Sequence, residues 1–153
     1  MIKKIIVAVD FSDISVVVLD YAINLATAYR SEIFLLHVAE PLLPLSTGAE
    51  MEMIAPPLVN MPEDEDIMKG EMRAMEEHVM AKGIKVSSEV CMGLIVETIL
   101  EKAKTYDADL IVAGAHNHGF LYNAFIGSVS GGIIKRSKCP VMIVPAKQSE
   151  TGS

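Results

Sequence analysis

Five short runs rich in Val, Ile and Leu punctuate the chain, at 4–9, 33–38, 86–92, 109–113 and 140–144. Each is apolar on both faces, the pattern of a buried parallel strand, because a strand with one wet face would alternate apolar and polar positions. Between the runs the apolar spacing lengthens to the period of a helix. Val18, Ala22, Leu25 and Tyr29 share one face of the first helical segment, with Ser12 as its N-cap. The second segment, 63–82, opens on Glu63-Asp64-Glu65-Asp66, aligns Met68, Met72, Met75 and Val79, and closes on Gly83. A third, 95–106, brings Val96, Ile99, Leu100 and Ala103 together, and a fourth runs from Ser128 to Ser137.

Strand and helix therefore alternate, βαβαβαβαβ. Parallel strands need crossover connections, and right-handed crossovers turn such an alternation into a doubly wound sheet with helices on both faces. Ligands of these sheets sit at the carboxyl ends of the strands, beside the point where the winding reverses. The loops after the first and fourth strands are therefore the ones that matter for function. Two segments lie outside the alternation. Residues 39–62 hold Pro41, Pro44, Pro56, Pro57 and Pro62, a connection too proline-rich for helix and long for a link, which reads as a lid, a surface for a protein partner or a disordered insert. Residues 147–153 are polar and read as a disordered tail, leaving one domain over 1–146.

Charge narrows the choice of partners. Thirteen Lys and Arg against twenty Asp and Glu give a net charge of −7, which opposes nonspecific attraction to nucleic acid or an anionic membrane. Membrane insertion is not expected, since no apolar run approaches the ~18 residues a bilayer span requires. The two cysteines, Cys91 and Cys139, stand far apart with no CxxC spacing, which favours a reducing compartment over a disulfide or zinc framework. The apolar run after Lys3 and Lys4 ends at Asp10 without a small-residue cleavage site, so a cytoplasmic location is expected.

The segment that carries chemistry is Gly114-Ala115-His116-Asn117-His118-Gly119, then Phe120 to Ile126, then Gly127-Ser128-Val129-Ser130-Gly131-Gly132. It follows a strand and opens a helix. Glycines let backbone approach a ligand, while the open N–H groups and positive end of a helix favour phosphate oxygens. Ser128 and Ser130 add hydroxyl donors. Neither a GxxxxGK[ST] loop nor a GxGxxG after the first strand is present, so residues alone leave two readings, an anion-binding loop or ordinary turn glycines. Asp10 likewise reads as a helix cap or as an acceptor for a ligand hydroxyl. His116 and His118 lack a third ligand at sensible spacing, so no metal site is expected. His37 reads as a satisfied core residue, His78 as a solvated one, and the methionine stripe as packing.

The chain resembles the universal stress protein family along nearly its whole length. The resemblance rests on Lys4-Ile5-Ile6-Val7-Ala8-Val9-Asp10-Phe11-Ser12, Leu36-His37-Val38, Ala108-Asp109-Leu110-Ile111-Val112 and Cys139-Pro140-Val141-Met142-Ile143-Val144-Pro145. It rests also on the family's G-x2-G-x9-G-[S/T] motif, whose outer glycines fall at Gly114 and Gly127, followed by Ser128. One position departs from the motif, since Asn117 stands where the second glycine belongs. The expected architecture is a five-stranded parallel sheet of order 3-2-1-4-5.

The resemblance implies an adenine nucleotide, ATP, ADP or AMP, with or without Mg²⁺. Base and ribose would meet Ala8, Val9, Asp10, the backbone of Val38, and Gly114. The phosphates would run along Ala115, His116, Asn117, His118, Gly119 and Phe120 to Gly127, Ser128, Val129 and Ser130. It also implies a homodimer paired through the last strand, 141–144. Three functions follow: a nucleotide-binding regulator or sensor in stress response, which is favoured; a slow ATPase or nucleotidyl-transfer enzyme; and a dimeric scaffold that has lost the nucleotide. The loop 114–130 contains no Asp, Glu, Lys or Arg to serve as base or to hold a metal, so catalysis is the weaker expectation.

Overall fold

The computed structural model describes residues 1–41, 62–115 and 127–146. Within them the chain runs β1 (Lys4–Ala8), α1 (Asp13–Tyr29), β2 (Glu32–Ala39), α2 (Pro62–Met80), β3 (Val86–Met92), α3 (Ile95–Tyr106), β4 (Leu110–Gly114), α4 (Ser128–Arg136) and β5 (Val141–Val144). The strands form one parallel sheet in the order β3-β2-β1-β4-β5, with the winding reversing between β1 and its neighbours β2 and β4. The expected fold class and strand order are what the structure shows. The 39–62 loop beyond Pro41, the stretch His116 to Ile126 and the tail 147–153 lie outside the described residues.

Consecutive residues of the central strands feed opposite cores, as the period of two requires. Ile5, Val7, Leu35 and Val112 point to the side covered by α1 and α2, where Val18, Ala22, Met72 and Val79 meet them. Ile6, Leu36, Val38, Ile111 and Ala113 point to the other side and pack on Ile99, Ala103 and Ile133 of α3 and α4. Both faces of β1 are fully buried, hence its unbroken apolar run. The reading of β3 as apolar on both faces needs correction. It is an outer strand whose Ser87, Ser88 and Glu89 are at best half-buried, with the Glu89 carboxylate bonded to Lys102 of α3 at 2.6 Å.

Two helix readings also change. Tyr29, placed by period on the buried face of α1, is 46% exposed because it lies in the terminal turn, just before the chain reverses through Arg30 in the left-handed region at φ 56°. Ser12 does occupy the N-cap position of α1, yet its hydroxyl makes no cap bond to the helix. That hydroxyl has a different partner, described below. In α2, Met72 and Val79 are buried, Met68 and Met75 half-buried, and Gly83 takes φ 74° in the turn that follows.

Candidate functional site

The carboxyl end of β1 is built by three features. Val9 still donates to the Leu36 carbonyl at 2.9 Å, so the chain leaves the sheet one residue after the strand proper. Phe11 then takes φ 60°, a left-handed conformation that costs a non-glycine residue roughly 1–2 kcal/mol. Its ring is held by packing against the α1-side core and lies 4.4 Å, centroid to centroid, from the ring of His37. His37 Nδ1 lies 2.8 Å from the Val9 carbonyl, and since a carbonyl only accepts, that nitrogen carries the proton. His37, read from sequence as a satisfied core residue, is thus the pin that fixes the exit of β1.

The reversal presents Asp10 to a serine cluster. Its Oδ1 accepts from the Ser12 amide at 3.0 Å, from the Ser12 hydroxyl, and from the Ser15 hydroxyl at 2.9 Å. Ser15 closes the circuit by accepting from the Asp10 amide at 3.2 Å, and it is buried to 2% exposure. The carboxylate therefore sits, exposed, at the amino end of α1, where a helix favours negative charge. Of the two sequence readings of Asp10, helix cap and acceptor for a ligand, the first needs correction: Ser12 holds the N-cap position, and Asp10 braces the start of α1 through Ser12 and Ser15. Ser15 was not singled out from the sequence. Its signal would have been a small hydroxyl on an otherwise apolar helix face, next to Val18, Leu19 and Ala22.

Across the switch point, β4 ends on Gly114, paired with Val144 of β5, and Ala115 donates to the Val144 carbonyl at 2.8 Å. A side chain at Gly114 would meet Ile14 and Val18 of α1 at 3.2 Å, so close helix packing is one reason for this glycine. Helix α4 begins after Gly127, whose φ of −65° and ψ of 168° need no glycine and whose first helical bond is made to the Gly131 amide at 2.8 Å. The amides of Ser128, Val129 and Ser130 precede that bond and have no acceptor within the helix. Ser130 is 2% exposed, and its hydroxyl donates to the Gly114 carbonyl at 3.0 Å. It fastens the first turn of α4 to the end of β4 rather than reaching outward, whereas the Ser128 side chain is exposed. Val129 packs half-buried on the α3 side, and a Cβ at Gly132 would stand 2.9 Å from Val96 of α3.

Val38 completes this edge. Its side chain is 7% exposed in the core. Backbone groups of a parallel strand point alternately to its two neighbours. The Leu36 carbonyl is bonded to β1 and the Ala39 carbonyl to Gly93 on the β3 side, so Val38 faces β1, one step past the last bond to Val9. Ala8, Val9, Asp10, Val38, Gly114, Ala115, Gly127, Ser128, Val129 and Ser130 thus gather along one edge of the sheet. His116, Asn117, His118, Gly119 and Phe120 lie outside the described residues. Among the described residues no three His, Cys, Asp or Glu side chains converge on a point that suits a metal ion.

Comparison with known proteins bears on this edge. The model described as "Universal stress protein family" matches residues 1–145. A curated relative, the universal stress protein MJ0531 of Methanocaldococcus jannaschii, is 31% identical over 150 residues, 97% of this chain and 85% of its own length. The solved structure of MJ0577, a universal stress protein of the same organism, superposes with a TM-score of 0.79 at 27% identity, over 97% of this chain and 99% of that one. A universal stress protein of Archaeoglobus fulgidus, solved in complex with dAMP, shares the fold at a TM-score of 0.62 and 23% identity, over 94% of this chain and 98% of that one.

Proposed function

The chain belongs to the universal stress protein family, and from that premise we propose that it binds an adenine nucleotide at the β1/β4 edge and acts as a nucleotide-responsive regulator in stress response. One observation carries the reading. The Ser130–Gly114 bond holds the open first turn of α4 at the end of β4, beside the strand whose exit presents Asp10. A helix start with unused amides takes phosphate oxygens, and a carboxylate one strand away accepts from ribose hydroxyls. The backbone of Val38, directed toward β1, suits the hydrogen-bonding edge of a base. The dAMP bound by the Archaeoglobus fulgidus protein of this fold supports the same ligand class.

The proposal is binding without turnover. Displacement at a phosphate needs a base or a carboxylate that holds metal, and residues 127–131 carry neither. Mg²⁺, where it accompanies ATP, would be held chiefly by the phosphates and water. Calorimetry with AMP and ATP tests the reading, together with mass spectrometry of small molecules released from the purified protein on denaturation. Stoichiometric binding of either nucleotide, with no ADP or AMP formed from ATP and Mg²⁺, is expected. No binding of any adenine nucleotide would reject the reading, and steady turnover would replace it with the enzyme.

The outer strand β5 extends the proposal to assembly. Val141, Met142 and Ile143 are only half-buried on a strand paired on one side, and two such edges satisfy each other's backbone groups. A homodimer through 141–144 is the expected state, and sedimentation as a monomer at micromolar concentration would overturn it.

A further inference from the structure

The opposite end of the sheet holds a cleft of about 550 Å³ between the starts of β1 and β2, the last turn of α1 and the turn after α2. Five cationic side chains, Lys3, Lys4, Arg30, Lys82 and Lys85, line it against a single carboxylate, Glu32. This concentration runs against a chain in which acidic residues outnumber basic ones twenty to thirteen. Glu32 is engaged by Lys85 at 2.7 Å, which holds its carboxyl below the ordinary value. Lys4 donates to the Tyr106 carbonyl at 3.1 Å and sits 5.1 Å over that ring. Lys3, Arg30 and Lys82 are exposed, and their side chains have no ion pair or hydrogen bond among the described residues. Asp109 contributes a carboxylate nearby, already bonded to the Lys3 and Lys4 amides at 2.7 and 2.9 Å.

We propose that this cleft binds a compact polyanion carrying two or more phosphate groups. Its volume is that of a small-molecule site, within the roughly 300–1,000 Å³ usual for such pockets. Several unpaired cations in one concavity repel one another, and a ligand with several negative charges relieves more of that repulsion than one carboxylate can. Side chains alone make the site, because the neighbouring backbone is committed. Glu32 donates to the Lys3 carbonyl, Ile33 to Lys85 and Asp109 to Lys4, at 2.9, 2.9 and 2.8 Å. That leaves no strand edge for an extended acidic peptide, so the cleft reads charge and reach rather than a base or a backbone. It is also separate from the nucleotide edge, which lies at the other ends of the same strands.

Titration of the full chain with tripolyphosphate, free of metal ions, tests this. The triple variant Lys3→Gln/Arg30→Gln/Lys82→Gln should lose roughly tenfold or more in affinity at unchanged melting temperature. The control Lys104→Gln/Lys135→Gln/Lys138→Gln removes the same charge from exposed positions outside the cleft and should lose far less. Gly127→Val should remove any tripolyphosphate bound at the proposed nucleotide edge and leave a binding event at the cleft that the first triple variant, built in that background, weakens, so failure there and failure here are distinguishable. Equal losses in the two triple variants, unchanged affinity in the first, or loss of all binding on Gly127→Val would each overturn the proposal.

Discussion

The two ends of this sheet are made of the same five strands and differ in almost every other respect. At the amino end the strand starts are tied to one another, with Asp109 bridging the first residues of β1 to β4 and cations crowding the rim. At the carboxyl end the chain turns away early, and the groups on offer among the described residues of the β1/β4 edge are amides, hydroxyls and the Asp10 carboxylate. The difference shows that polarity of direction alone sorts the chemistry. Parallel strands with antiparallel helices put every helix start at one end and every helix finish at the other, so open N–H groups accumulate where cations are not needed. The amino end gathers helix finishes, where positive side chains are favoured, and Arg30 and Lys82 stand just past two of them.

The largest expected effect comes from Gly127→Val. A β-branched side chain at the start of α4 closes the approach to its first amides, so nucleotide affinity should fall by more than about a hundredfold in calorimetry. The backbone there is extended, so unfolding should stay cooperative and lose no more than about 1 kcal/mol from the poorer cap. A variant that bound normally would erase the functional contrast between the two ends. Ser128→Ala, which removes one hydroxyl bond to a charged phosphate, should cost about 1.5–3 kcal/mol of binding, roughly ten- to a hundredfold.

Asp109→Ala attacks the other end. It should lower stability by about 1 kcal/mol, allowing for solvent screening, and leave nucleotide affinity alone. The Lys3 amide first, then that of Lys4, holds the Asp109 carboxyl below its ordinary value of 3.8. The native state therefore favours the ionised form. The stabilisation is complete above the ordinary value and is lost as the pH falls through the depressed one. Denaturant titrations of the two proteins should differ at neutral pH and converge in strong acid. A gap that persisted there would mean that the carboxylate charge is not the cause.

The smallest effect belongs to Lys85→Gln. Its side chain is 83% exposed, and its bond to Glu32 should be worth less than about 0.5 kcal/mol in the same titrations. A larger loss would show that the amino end depends on its surface charges for stability, and the contrast drawn between tied backbone and solvated rim would need revision.

Much of this architecture was legible because the central strands are buried on both faces. Ile5, Ile6 and Val7 are each fully buried, so their consecutive apolar letters admit few other readings. Legibility fell where burial became one-sided, as at β3, or where an element ran past its support, as at Tyr29. The candidate edge was legible as glycines and hydroxyls but not in their division of labour. Gly114 and Ser130 look like ligand contacts in sequence because small and polar residues also suit close approach between elements. Only the contacts of Ile14, Val18 and the Gly114 carbonyl separate those roles. His37 was missed as an organising residue, since its bond to Val9 spans 28 positions and leaves no local pattern.

Gly114 has a consequence for how sequences of this kind can drift. Its empty Cβ position is filled by Ile14 and Val18, its carbonyl is taken by Ser130, and its ladder partner is Val144. Four elements meet at a residue with no side chain. Position 114 therefore gains a side chain only as Ile14 and Val18 give way by a few tenths of an ångström, and position 130 cannot lose its hydroxyl without leaving a carbonyl in want of a donor. Substitutions at these sites should arrive in company, and a lineage that changed one alone would carry the defect until a second change relieved it.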